Sequence, residues 1–445
     1  MPAIDILEVK KNEYLDAKCR DFNIMCAASG DLRNVVKTIG GLPDGYAGKC
    51  SILMNDNDFD IVARNVILLM IALYFDTDDA VPAMIHLWYS ARLPAAMMKG
   101  IQEMLLPLID DVCSKIVNKP DNVPLGKTFK IETGQSIRIV LTKSDWFRFK
   151  GYFSLPTNHT PEKAEELRIK AVYDTTRHDY HHKGLYTYWP ALRMSMHRFR
   201  TDGLLLPYGT SRKAFDTWNP TFLQTPEKWP MRDDVEPHIG WSHEDIMSGK
   251  PTASGDYLGA QFFMLRDLLN KFCNRVKTFD LKFRSYYLDA RDLAMRLTNW
   301  KEEVGLYDRI EVRAQAATLQ MVTVLNILQM TNVYDLAYIG PATAVSTYAP
   351  LLKPRSANPH AVLMLLFQTA VPEIDNYRPP GELQQELQEV LAPRMMAKRY
   401  LPFPKPKDTF EQQWHPEIDR FEGGARMLGV RVRVRVRVRV RVRVR

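Results

Sequence analysis

The first seventy-odd residues switch between two hydrophobic periods. Asp21-Phe22-Asn23-Ile24-Met25-Cys26-Ala27-Ala28 is a short apolar run ending in small residues, which predicts a strand. Ser29-Gly30-Asp31 follows as a turn and helix-cap signal. Leu32 to Ile39 is a short amphipathic helix, closed by Gly40-Gly41 and Pro43. Lys49-Cys50-Ser51-Ile52-Leu53-Met54 is a second strand, stopped by Asn55-Asp56-Asn57-Asp58. Phe59 to Phe75 is apolar on most faces, so a long buried helix is expected. Strand, tight turn, helix and strand within about 35 residues is the spacing of a parallel β-α-β unit.

The middle of the chain has another texture. Pro82 to Val117 has helical spacing, with breaks expected at Pro94 and Pro107. Lys127 to Thr142 has the form of a hairpin: TFKIE, then TGQ, then SIRIVLT. Glu162 to Tyr173 predicts a helix. Thr175 to Ser254 is rich in Trp, Pro, His and Tyr with little periodicity, either a well-packed irregular region or a long binding loop. Asp256 to Lys277 returns to an amphipathic helix.

A third region restores the α/β rhythm. Phe283 to Leu288 is strand-like and runs into Asp289-Ala290-Arg291-Asp292-Leu293. Tyr307 to Arg313 (YDRIEVR) is another strand, Ser346 to Leu352 the end of a helix, and His360 to Phe367 (HAVLMLLF) a buried strand. Leu383 to Leu391 predicts a last helix, ended by Pro393. Beyond Tyr400 the chain is Pro- and charge-rich and is expected to be extended.

Charge changes this picture only at the end. The chain carries 60 Lys+Arg against 52 Asp+Glu, a formal net charge of +8. Val430 to Arg445 is a strict Val-Arg repeat holding eight arginines and no acid, so the rest is formally neutral. Bulk charge therefore gives no ground for a nucleic-acid-binding body. The repeat could contact acidic surfaces, nucleic acid or membrane without specificity, or be a disordered extension.

Ile61 to Tyr74 is the most apolar run. It is interrupted by Arg64 and Asn65 and falls short of the roughly 20 residues of a membrane span. The start of the chain has no signal-peptide pattern. The five cysteines are scattered without a CxxC pair. A reduced, intracellular protein is expected.

In order, these elements follow a class I methyltransferase-like fold. The fold class expected is α/β: a degenerate, Rossmann-like parallel sheet with a large, mostly helical insertion and a disordered C-terminal tail. Residues 1–76 would form the first half of the core, 77–277 the insertion, 278–400 the second half, and 401–445 the tail. On such a core Gly30 and Asp31 would face the amino-acid end of a cofactor, Asp56 the ribose, and Asp289 the adenine. S-adenosylmethionine is the cofactor this fold would take. The turn also admits a plainer explanation, with Gly30 easing the bend and Asp31 capping the helix. Ala28 and Ser29 replace glycines that would let backbone approach a ligand.

The stretch SGDLRNVVKTIGGLPDGYAGKCSILMNDNDFDIVARNVILLMIAL resembles a domain of unknown function found in fungal and animal proteins. The same domain forms the N-terminal half of dynein axonemal assembly factor 3. The blocks YDRIEV and LLKPRSANPHAVLMLLF resemble the corresponding blocks of these proteins. The resemblance implies a methyltransferase-like core with large insertions and no established catalysis. It also implies cytoplasmic work in preassembling dynein arms, with dynein subunits or chaperones as partners. Many fungal relatives add a MYND zinc finger, for which this chain lacks the paired cysteines. Where the family pattern continues directly after YDRIEV, this chain inserts Arg313 to Thr331, an apolar segment able to form a buried helix.

Other chemistry is thinly signalled. His178 and His182 stand four apart, as on one helix face, but HEXXH is absent and no acidic ligand is fixed, so a polar surface segment is expected. Neither a GxSxG elbow nor a P-loop occurs. Cys26 is expected to be a buried structural thiol. Trp189, Trp218, Trp229 and Trp241, with Tyr186, Tyr188, Phe215 and Phe222, could pack under the loop or anchor a partner. The function expected is a non-catalytic scaffold acting by protein contact; the alternative is an S-adenosylmethionine-dependent methyltransferase.

Overall fold

The structure, a computed structural model, describes residues 2–12, 17–131, 133–157, 159–173, 188–225, 229, 236–299, 303–313, 340–366, 430–435 and 439–444. The chain opens with α1 (Val9–Asn12), β1 (Phe22–Ala28), α2 (Arg33–Gly41) and β2 (Lys49–Asp56). Next come α3 (Phe59–Tyr74), α4 (Thr77–Tyr89), β3 (Arg92–Leu93) and α5 (Ala95–Ile116). The hairpin β4 (Leu125–Lys130) and β5 (Ser136–Leu141) leads to α6 (Lys143–Gly151), α7 (Pro161–Val172) and α8 (Pro190–Asp202). Then follow β6 (Thr217–Trp218), α9 (His243–Met247), α10 (Tyr257–Thr278) and β7 (Asp280–Tyr287). The last elements are α11 (Ala290–Asn299), β8 (Arg309–Arg313), α12 (Gly340–Tyr348), β9 (Val362–Leu366), β10 (Val430–Arg435) and β11 (Arg439–Val444). The chain is thus mixed α/β with a largely parallel sheet and many helices.

Two compact units divide it. The first comprises Met1–Asp21, Asp31–Ile52 and Asp58–Tyr287; the second comprises Phe22–Gly30, Leu53–Asn57 and Leu288–Arg445. Strand β2 gives its first half to one and its second half to the other.

In the first unit the strands run β2-β7-β5-β4. β5 is parallel to β7, and β4 closes the edge antiparallel to β5. Helix starts are fixed by short polar side chains: Asp58 accepts the Asp60 N–H, Thr142 the Asp145 N–H, Thr160 the Lys163 N–H and Asp256 the Gly259 N–H. α10 packs on α2 and α4, and α3 on α4. α3 is buried on most faces, as its sequence predicts.

In the second unit the order is β10-β11-β9-β8-β1-β2. β1, β8 and β9 are parallel, and β11 runs antiparallel to β9. α11 packs on β1 and α12. In the Val-Arg repeat, strict alternation is the strand period, and the β9 edge offers unpaired backbone groups. Arg439 to Val442 pair with Leu366 to Leu363, and β10 pairs with β11.

Several boundaries differ from expectation. Gly40 and Gly41 lie inside α2: a Cβ would meet Leu268 at the first and the Asp5 carboxylate at the second, so close approach outweighs the helix cost of glycine, about 1 kcal/mol. Pro107 does not break α5, because it lies on an exposed stretch where water can take the freed carbonyl. α8 lies where little periodicity was legible, although Pro190 at its first turn and the left-handed Gly203 at its end mark it. The His178/His182 pair, Tyr186, most of Arg313 to Thr331 and the Leu383–Leu391 helix fall outside the described residues. No helix among the described residues is long and apolar enough to cross a membrane.

Candidate functional site

Within the second unit, β1 has β2 on one side and β8 on the other, so chain order reverses there. Open α/β sheets bind ligands outside the carboxyl ends of their strands at such a reversal. The residues at that place are Ala28, Ser29 and Gly30 after β1, and Asn55 and Asp56 at the end of β2.

The two strand ends are laced together. Ser29 N–H donates to the Asn55 carbonyl at 2.8 Å, and Gly30 N–H donates to Asp56 Oδ2 at 2.9 Å. Gly30 has φ +57°, a conformation that a Cβ would strain. Asn55 Nδ2 donates to the carbonyls of Ala27 and Leu288, both at 2.9 Å, and Leu288 N–H returns to the Asp56 carbonyl at 3.2 Å. These bonds carry β2 two residues beyond the expected stop at Met54. Asn55 Oδ1 is buried without a hydrogen bond and is inaccessible.

Gly30 and Asp56, which the sequence nominates for the amino-acid end and the ribose of a cofactor, are therefore bonded to each other. Asp289 is set at the same strand ends by the Leu288 contacts, but its carboxylate takes the Arg291 N–H at 2.8 Å and Arg291 Nε at 3.0 Å. Burial pushes the Asp289 pKa up, and the Arg291 bonds more than offset this, so the net direction is down. Asp31 belongs to the first unit and takes Arg33 Nε at 2.7 Å. The α2 N-cap is Leu32, which makes no side-chain cap; Asp31 supplies the nearest equivalent through the Arg33 N–H at 3.2 Å.

A ribose-binding acid needs accessible oxygens. Asp56 is 1% exposed, and Oδ2 accepts the turn amide of Gly30. Asp31 and Asp289 are likewise engaged by neighbouring arginines. In this arrangement Asp56 offers a ribose no accessible carboxylate, whereas Asp31 and Asp289 are partly exposed beside their arginines.

The most fully built polar cluster of this unit was legible as sequence blocks, but not as a site. Asp308 of YDRIEV is fully buried. It accepts Lys353 Nζ at 2.8 Å on each oxygen, Asn358 Nδ2 at 2.7 Å and the Asn23 N–H at 2.8 Å. It ties the start of β1 to the segments before β8 and β9. Cys26 faces Glu311 across β1 and β8. Burial, then the Glu311 carboxylate, pushes its thiol well above the usual range, which opposes a nucleophilic role. In the first unit Trp218, Trp229 and Trp241 are buried and pack, while Trp189 is exposed. Among the described residues no group of three His, Cys, Asp or Glu could hold a metal.

Fold and strand order are those of a Rossmann-like α/β protein in which the turn after β1 is bonded to the end of β2. Residues 1–93 match a family described as Domain of unknown function (DUF4470), a span that ends with β3. No curated protein and no solved structure matches the chain, and nothing in these comparisons connects it to dynein assembly factors.

Proposed function

We propose that this chain is a non-catalytic cytoplasmic scaffold or assembly factor on a degenerate methyltransferase-like core. It acts by protein contact through the inserted middle region, residues 77–277. The resemblance of the GDLRN to ARN block to dynein arm preassembly factors suggests dynein subunits or chaperones as the partner class. The observation that carries the non-catalytic part is the Gly30 N–H bond to buried Asp56, which uses both cofactor-facing groups internally. Calorimetry of the full chain with S-adenosylmethionine tests it. No heat at millimolar cofactor is expected; micromolar binding that disappears in Asp56→Ala would overturn it. Co-purification from cytoplasm should return a stable protein partner.

The alternative, an S-adenosylmethionine-dependent methyltransferase of unknown acceptor, draws support from the strand reversal at β1 and the positive φ of Gly30. It requires the Gly30–Asp56 bond to open.

A further inference from the structure

The first unit carries a groove of about 470 Å³ on its α8 side, walled by α8, the segment from Leu204 to Arg212, and the turn before α10. Its walls hold the two most exposed large hydrophobics among the described residues, Met194 at 69% and Tyr208 at 70%. The floor is apolar, including Phe199, Leu206 and Leu258. Exposed Met and Tyr beside arginine is the composition favoured at protein interfaces. The size suits one or two bulky side chains rather than a whole domain.

Charge selects the occupant. Asp256 in the lining and Asp202 beside it are both committed to the fold. Asp256 accepts the Gly259 N–H at 2.9 Å and the Tyr208 N–H at 2.6 Å, which caps α10 and pins the Tyr208 loop. Asp202 accepts the Leu204 N–H at 2.9 Å and is bonded by Arg212 Nε. Arg198 is left with Asp202 at 4.0 Å, an oxygen that Arg212 already holds, and its side chain is 45% exposed. Its guanidinium lies 5.9 Å from the Tyr208 ring centroid, beside the apolar floor. An incoming carboxylate meets a guanidinium with spare donors next to an apolar slot. A phosphate backbone carries no bulky apolar side chain for the floor beside Phe199, Leu206 and Leu258, so nucleic acid and lipid headgroups fit less well.

We infer that this groove is a docking site for a short acidic peptide segment of a partner protein, a bulky apolar side chain entering beside Tyr208 and a flanking carboxylate pairing with Arg198. The inference deepens the scaffold reading above and rests on it for its biological setting.

The test selects a displayed library of random short peptides against the full chain. Selected peptides should be enriched in Asp and Glu flanking one bulky apolar residue. They should lose at least tenfold in affinity for Arg198→Glu and for Tyr208→Ser, with both variants melting as the wild type does. No enrichment, a basic or uncharged consensus, or equal binding to both variants would overturn the inference. So would Arg198-dependent binding of phosphatidylserine vesicles or a single-stranded oligonucleotide without peptide binding. A cellular partner that co-purifies equally with wild type and Arg198→Glu sinks the groove and leaves the scaffold reading standing. Groove-dependent peptide binding with no cellular partner does the reverse.

Discussion

Asp56 and Gly30 are bound across the ends of two neighbouring strands, Gly30 N–H to Asp56 Oδ2 at 2.9 Å. The acid ties the turn after β1 to the end of β2. Removing the acceptor strands a buried N–H. Asp56→Ala is expected to cost about 1–3 kcal/mol, and Asp56→Asn, which keeps an acceptor oxygen, less. Urea unfolding followed by circular dichroism reads both; an unchanged midpoint in Asp56→Ala would show that the bond does not hold the turn.

Lys353→Met leaves Asp308 buried with Asn358 and the Asn23 N–H as its remaining donors. Breaking one side of a buried ion pair typically costs about 3–5 kcal/mol. The Lys353 side chain is partly exposed, so the lower end is expected. Replacing the exposed pair Lys99 and Glu103 should change stability by less than about 0.5 kcal/mol. Equal midpoints for the two sets of variants would refute the contrast.

His86 is buried against the Phe215 and Phe262 rings, with Nδ1 at 3.1 Å from Ser90 Oγ. Ser90 Oγ accepts the Leu205 N–H, which leaves its own hydrogen for Nδ1. Burial lowers the His86 pKa from 6.5 to about 4. The folded value lies below the unfolded one, so the unfolded chain binds more protons between them. This contribution is fully present above about pH 6.5, declines as pH falls, and is lost at about pH 4, amounting to about 3 kcal/mol. His86→Leu should flatten urea midpoints across that window; an unaltered slope would exclude His86 as the source.

Thiol access separates Cys19 from the rest. Cys19 is exposed, whereas Cys26, Cys50, Cys113 and Cys273 are buried. Burial raises the Cys273 pKa to about 12. Native protein treated with a maleimide at mild pH should gain one label, at Cys19, and denatured protein all five. Rapid native labelling of Cys26 would contradict its placement against Glu311.

Local pattern made the first β-α-β unit legible: the apolar run ending at Ala28 and the apolar α3 appear where the sequence places them. The hairpin, α7 and α10 were equally readable from alternation and helical spacing. α8 was hidden because Arg200, a charged residue, occupies an interior position through its bonds to Val172 and Glu236, which blurs the hydrophobic period. Gly30, Asp56 and Asp289 could be named as strand-end residues, but their engagement could not. Hydrogen-bond partners 26 residues apart are chosen by strand register, which no local spacing records.

By itself the sequence determined the alternation of elements, the neutral body with its arginine repeat, and the residues standing at the strand ends. Those properties follow from periodicity, capping and charge, all of them local. Only the tertiary structure decided that Asp56 turns inward to Gly30, that Asp308 gathers Lys353, Asn358 and Asn23, and that Met194 and Tyr208 flank one groove. These depend on which segments pair across the sheet and which helix faces meet. That selection is made by the whole set of buried contacts at once, so a short window of the chain does not contain it.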